Sequence, residues 1–159
     1  MGSKGFSLIE LLVVVAIILV IAAIAVPQFL RSRVAANQAS AVASLHTLTI
    51  AEVTYASTYG NGYTADLLTL ASPADPNAVP SSTAAGLIDS ALASGVKSGY
   101  TFTYSPGAVD GVGRINGFTF TAIPVSSNTG TNYYYSDESG VMRLNATTTA
   151  CSTDSPVGG

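Results

Sequence analysis

The sequence predicts an α+β fold, in which one long N-terminal helix packs on a small antiparallel sheet of three or four strands. Two patterns predict it. The first 30 residues are a mostly apolar run, and residues 28–59, which continue it, contain neither Gly nor Pro. Residues 100–104 and 117–122 each alternate aromatic residues with Thr, on either side of a Gly-rich turn. We therefore expect an N-terminal helix followed by a small globular head.

The helix begins with a segment that is long enough to cross a membrane. Residues 11–30 carry no charge, and a helix from Phe6 to Leu30 is about 37 Å long, against about 30 Å for the hydrocarbon core of a bilayer. Lys4 precedes the apolar run and Arg31 and Arg33 follow it, so the positive charges do not decide its orientation.

Glu10 is an acidic residue near the start of this apolar segment. A carboxylate in the middle of a bilayer costs about 2.5–3.5 kcal/mol and is retained where it has a partner, yet no Lys or Arg lies within one helical turn of Glu10. If the chain were cut after Gly5, the new α-amino group of Phe6 would lie about one turn away, or beside Glu10 of a staggered neighbour. Neutralisation of the charge would then favour assembly.

The run Gly5-Phe6-Ser7-Leu8-Ile9-Glu10, followed by a long apolar segment and Pro27, resembles the class III signal of type IV pilins and the related pseudopilins. This resemblance implies a pilin fold. It also implies that a prepilin peptidase cleaves after Gly5 and methylates the new N-terminal residue, Phe6. Glu10 corresponds to the glutamate of the family that takes part in assembly, and Pro27 to the proline that kinks the helix.

The resemblance also divides the chain. It assigns residues 1–5 to a leader peptide, 6–59 to the long N-terminal helix, 6–30 within it to the transmembrane and assembly segment, and 60–159 to the head. Two features depart from the family pattern. Leu19 stands where a glycine is common midway along such helices, and Cys151 is the sole cysteine where a pair often closes a loop in the C-terminal region.

Two other interpretations of the N-terminus stay open on the sequence. One is an ordinary secretory signal, for which Ala23-Ile24-Ala25 supplies a small-x-small cleavage site ahead of Val26. Against it, Glu10 interrupts the charge-free start that such a signal needs. The other is a plain single-span anchor that tolerates Glu10 at the membrane interface.

Beyond the membrane segment, the helix is predicted to be amphipathic and to end at Gly60-Asn61-Gly62. Pro27 removes one backbone donor, so we expect a kink or local unwinding there. His46 is alone on this helix, without a second ligand at metal-binding spacing, and is interpreted as a surface residue. The predicted apolar stripe, which should dock on the head, consists of Val34, Val42, Leu45, Leu48 and Tyr55.

In the head, four strands and one short helix are predicted. The helix should begin at Ser81 or Ser82 and run through Leu92 to end at Gly95. The tail from Asn145 to Gly159 has little to pack against and is expected to be mobile or dependent on a partner. The predicted strands are Tyr100–Tyr104, Gly117–Ala122, Tyr133–Tyr135 and Val141–Leu144, the last two joined by the turn Asp137–Gly140.

Composition and motifs argue against catalysis and against nucleic-acid binding. Six basic and nine acidic residues give a net charge of −3, with no basic cluster, and no catalytic constellation is present. We expect no cofactor and no metal, and interpret Asp137 and Glu138 as a solvated turn rather than a calcium site. Cys151 is interpreted as an inert thiol or, alternatively, an intermolecular crosslink. Asn145 begins a three-residue glycosylation pattern that chance explains.

The sequence therefore predicts a structural protein, with no enzymatic activity. The family resemblance implies the subunit of a type IV pilus, used for adhesion, motility or DNA uptake. Its expected partners are copies of itself, the inner membrane before assembly, the prepilin peptidase and the assembly machinery, and its expected location changes from inner membrane to cell surface. The alternative is a pseudopilin of a type II secretion system. A membrane-anchored monomeric binding module is a third possibility.

Overall fold

A computed structural model of the chain describes residues 5–75 and 77–158. The chain divides into two compact units, Met1–Arg33 and Val34–Gly159. Helix α1, Leu8–Tyr59, begins in the first unit and ends in the second. It ends where predicted, because Gly60 takes a positive φ of 68° and its N–H closes the last turn on the carbonyl of Ala56 at 3.0 Å.

In the first unit, α1 presents apolar side chains to its surroundings on every side. The large hydrophobic residues between Leu8 and Leu30 are 45–81% exposed. Within the described residues, α1 is the one helix that is long and apolar enough to cross a membrane, and none of its most apolar 18-residue window is buried. The helix continues through Pro27 without a break, and the kink expected at this residue stays a prediction.

The second unit is built on one antiparallel sheet of six strands in the order β1-β2-β3-β4-β5-β6. The α+β class is confirmed, but the predicted count of three or four strands is wrong. The two strands that the sequence missed, β1 and β6, are two-residue edge strands, too short for an alternating pattern to reveal. The strands are β1, Val96–Lys97; β2, Tyr100–Pro106; β3, Phe118–Pro124; β4, Tyr133–Asp137; β5, Arg143–Asn145; and β6, Ser155–Pro156.

The core of the head lies between one face of the second half of α1 and one face of the sheet. Leu45, Leu48 and Tyr55 of the predicted stripe are buried, whereas Val34 and Val42 are only partly buried. Alternate aromatic residues of the strands fill the opposite side, as the pattern with Thr predicted. The largest of these are Tyr100, Phe102, Phe118, Phe120 and Tyr134.

Polar side chains also attach the same half of α1 to the sheet and its loops. The buried hydroxyls of Thr49 and Ser136 lie 3.0 Å apart and join α1 to β4. About one helical turn after Val34, the side-chain amide of Asn37 donates to the carbonyl of Thr129 at 3.0 Å. The side-chain amide of Gln38 donates to the hydroxyl of Thr131 at 2.9 Å. The bond between Thr49 and Ser136 satisfies groups that packing separates from water.

The helix predicted in the head is also wrong. The helix expected from Ser81 or Ser82 to Leu92 is only the short α2, Ser90–Ala93, capped by the Asp89 carboxylate on the Leu92 N–H at 2.6 Å. The residues before it bond instead to the 3₁₀ turn Leu67–Leu70; for example, the Leu87 N–H donates to the Leu70 carbonyl at 2.8 Å. Backbone pairing with a neighbouring segment thus replaces the hydrogen bonds of a helix.

The C-terminal tail, expected to be mobile or dependent on a partner because it has little to pack against, is folded onto the sheet. β6 pairs with β5, Ala150 is buried, and the Val157 N–H donates to the Met142 carbonyl at 2.8 Å. Arg143 of β5 also donates to the Asp154 carbonyl at 2.9 Å. The tail has few large apolar residues. Hydrogen bonds to β5 and to the residue before it, rather than apolar packing, hold the tail on the sheet.

Candidate assembly segment at the N-terminus

The start of α1 is marked by a hydrogen bond between Ser7 and Glu10. Ser7 directly precedes the first helical residue, Leu8, and Glu10 is three positions further on, which is the S-x-x-E spacing of a capping box. The Ser7 backbone N–H donates to Glu10 Oε2 at 3.0 Å, and the Leu11 N–H donates to the Ser7 carbonyl at 3.2 Å. The Glu10 carboxylate therefore has a partner inside its own chain.

Glu10 also interacts favourably with the end of the helix on which it lies. The first-turn N–H groups of a helix carry a partial positive charge, so an acidic side chain in that turn is stabilised. Glu10 is the acidic residue of the first turn of α1. Its side chain is exposed, so the carboxylate is free to meet a charged group of another chain as well.

Gly5 and Phe6 lie just before the helix, in chain without regular secondary structure. Phe6 is 77% exposed, and a side chain at Gly5 would meet nothing within 4 Å. The peptide bond between them is thus open to an enzyme, and cleavage would leave the Phe6 amine one residue before the Ser7–Glu10 cap. Residues 1–4 of the predicted leader lie outside the described residues.

The other residues singled out in the sequence do not form a second site. His46 is exposed on α1, and residues 5–75 and 77–158 contain no group of three or more His, Cys, Asp or Glu that could hold a metal ion. Asp137 accepts the Ser139 N–H at 3.0 Å inside the predicted turn. Cys151 is an exposed free thiol. The Asn145 amide donates to the Asp154 carboxylate at 3.0 Å.

One titratable residue that the sequence analysis did not select is Glu52, which is fully buried on α1. It accepts hydrogen bonds from the backbone N–H of Thr64 at 3.0 Å and from the hydroxyl of the same residue at 2.5 Å. The spacing along the helix could have indicated that Glu52 is buried, because position 52 lies four residues after Leu48 and three before Tyr55, on the predicted apolar stripe.

Comparison with known proteins agrees with the geometry at the N-terminus. Residues 1–26 match the model of a family described as the prokaryotic N-terminal methylation motif. No curated protein matches the chain, and no solved structure matches it. The match includes Gly5, Phe6 and Glu10 and ends before Pro27, so the head lies outside it. The chain thus carries a prokaryotic N-terminal methylation motif, the class III signal that supports its assignment to the type IV pilin and prepilin family.

Proposed function

We propose that this protein is the repeating structural subunit of a type IV pilus, assembled through the N-terminal half of α1. The observation that carries the proposal is the combination, at one helix end, of the methylation motif with an acidic residue and an apolar surface exposed all round. A helix that is apolar on every side belongs in a bilayer or in a protein core. A filament core of stacked helices supplies the second of these environments.

The proposed sequence of events follows from the two environments. The precursor is held in the inner membrane by residues 6–30, with the Glu10 carboxylate accepting the Ser7 N–H. Prepilin peptidase removes residues 1–5, which leaves a positively charged amine on Phe6 beside the helix cap. The same enzyme then methylates this amine. In the filament, this amine of one copy pairs with Glu10 of the next, while the heads form the outer wall.

An electrostatic reason favours ordered stacking over simple aggregation of apolar helices. In a medium of low dielectric constant, an unpaired charge is costly and a paired charge is much less so. A stagger that brings the amine of one chain beside the carboxylate of another gives the two groups a charged partner between chains, which other staggers do not. The pair thus selects one register among the many that apolar contact alone would allow.

The mature N-terminus and the form of the assembled material test the proposal together. Mass spectrometry of the protein from its host should find N-methyl-Phe6 as the first residue, and electron microscopy of material sheared from cells should show long fibres that contain this chain. A mature chain that starts at Val26 or retains residues 1–5 would overturn it. Short assemblies, with loss of protein export on deletion of the gene, would instead identify a secretion pseudopilin.

A further inference from the structure

Glu52 joins three elements of the head at one buried point. Its side chain comes from α1 and holds the backbone N–H and hydroxyl of Thr64, at the end of the segment that follows the helix. On the other side of that segment, the hydroxyl of Tyr104 in β2 donates to the Thr64 carbonyl at 2.6 Å. Both Glu52 and Thr64 are almost completely excluded from solvent, with 0% and 1% of their surface exposed.

The surroundings of this carboxyl contain acids and no base. The titratable groups that act on or around it are Tyr55 on its own helix, Tyr104 on β2 and, facing Tyr104 from the segment after α1, Asp66. Among the residues that the structure describes, the ion pairs join Lys97 to Asp89 and Arg114 to Asp110, so no cation compensates Glu52. A carboxyl in such a place is expected to hold its proton longer than an exposed one.

We propose that the contact of Glu52 with Thr64 is a proton-operated latch, closed over the segment Gly60–Asp66 when the carboxyl is neutral and loosened when it ionises. The neutral form fits the geometry, because a protonated carboxyl still accepts the Thr64 N–H on one oxygen and can donate from the other to the Thr64 hydroxyl. The ionised form keeps the acceptors but buries a negative charge without a counter-ion.

The direction of the pH effect follows from the two states of the latch. Burial is the main cause that raises the pKa of Glu52, and the hydrogen bonds from Thr64 and Tyr104 offset part of the rise. When the segment opens, the carboxyl meets water and its pKa returns towards about 4.3, the value of an exposed glutamate. Below that pH both states are protonated, and the latch has its full stability.

As the pH rises above this value, loss of the Glu52 proton lowers the free energy of the open state, while the carboxyl of the closed state stays protonated. Between the exposed pKa and the higher pKa of the closed state, the open fraction therefore grows, by at most about tenfold per pH unit. Above the closed-state pKa both states are ionised and the fraction levels off. The latch is thus closed in acid and loosened towards neutral pH.

A direct test uses the small number of glutamates in the chain, which are Glu10, Glu52 and Glu138. The full-length protein, labelled with ¹³C at the glutamate carboxyls and held in detergent micelles, is titrated by NMR. The proposal expects one signal to titrate at a higher pH than the glutamate of a short unstructured peptide, and that signal to vanish in Glu52→Gln. Assignment of the other two signals through Glu10→Gln and Glu138→Gln keeps the test valid if Glu52→Gln fails to fold. Titration of Glu52 at the pH of the peptide glutamate or below it would overturn the proposal.

The second measurement follows the segment itself by hydrogen exchange of the same full-length protein. Protection of residues 60–66, corrected for the intrinsic pH dependence of exchange, should fall by at most about tenfold per pH unit through the titration of Glu52 and should be independent of pH in Glu52→Gln. Asp66→Asn is the matched control, because it removes the neighbouring exposed carboxylate and should leave the fall unchanged. Equal pH dependence in wild type and Glu52→Gln, or its loss in Asp66→Asn, would overturn the latch.

Discussion

The Ser7 backbone N–H donates a hydrogen bond to Glu10 Oε2 at 3.0 Å. This contact gives the Glu10 side chain a local function, as the acceptor that completes the first turn of α1, besides any function of its charge in assembly. The two functions are chemically separable. An amide in place of the carboxylate retains an oxygen that can accept the Ser7 N–H, whereas an aliphatic side chain removes both the acceptor and the charge.

The first prediction compares Glu10→Gln with Glu10→Leu. If the charge pairs with the amine of a neighbouring Phe6, both variants should lower the yield of sheared filaments about tenfold or more, because 1.4 kcal/mol lost per contact is already a factor of ten. The measurement is the amount of this chain in sheared material relative to the amount in cells. A normal yield with Glu10→Gln and a low yield with Glu10→Leu would show that capping alone matters.

The second prediction concerns the bond between Gly5 and Phe6. Because a side chain at Gly5 meets nothing within 4 Å, Gly5→Val should leave the fold intact and block removal of residues 1–5 by the peptidase. Mass spectrometry should find the variant uncleaved, without a methyl group on Phe6. Ser7→Thr, on the other side of the bond, keeps a hydroxyl at the cap and should be processed normally. Cleavage of Gly5→Val at the same position and rate would contradict the assigned site.

The third prediction measures the energy of the contact between α1 and the sheet. Leu48 is completely buried, whereas Ile50, two residues along the same helix, is 53% exposed. Leu48→Ala should lower the free energy of unfolding by about 2–5 kcal/mol, because it leaves a cavity in the core. Ile50→Ala should change it by about 0.5 kcal/mol. Chemical unfolding in detergent, followed by tyrosine circular dichroism, measures both. Equal losses would mean that a different face of α1 packs on the sheet.

The fourth prediction compares two glycines at the end of α1. Gly60 and Gly62 both take a positive φ, of 68° and 79°, so an alanine at either position pays about 1–2 kcal/mol for the left-handed backbone. At Gly62 a Cβ would also lie 2.4 Å from the Ile115 carbonyl oxygen, while at Gly60 it would meet nothing within 4 Å. Gly62→Ala should therefore be clearly less stable than Gly60→Ala in the same unfolding experiment. Equal stability would contradict the close approach to Ile115.

Much of the fold could be predicted because it is coded locally. Absence of Gly and Pro between residues 28 and 59, and glycines directly after Tyr59, predict where α1 continues and ends. Alternation of aromatic residues with Thr predicts β2 and β3 and the face of each that is buried. These signals depend on residues a few positions apart, so one sequence is enough to read them.

Features that depend on distant contacts could not be predicted in the same way. The segment before α2 is predicted to be helical from its capping serines, yet its backbone bonds to the 3₁₀ turn Leu67–Leu70. The tail has few apolar residues, yet β6 pairs with β5. In both cases a neighbouring strand or turn supplies the backbone hydrogen bonds, and nothing within the segment itself records that neighbour.

The sequence by itself determined the N-terminal helix, its apolar length, the acidic residue at its first turn and the methylation motif, because each is a property of a short continuous stretch. Only the tertiary structure decided that Glu52 is buried against Thr64, that the sheet has six strands, and that the tail closes on β5. The physical reason is that burial and strand pairing depend on contacts between segments that are far apart in the sequence and that exclude water where they meet.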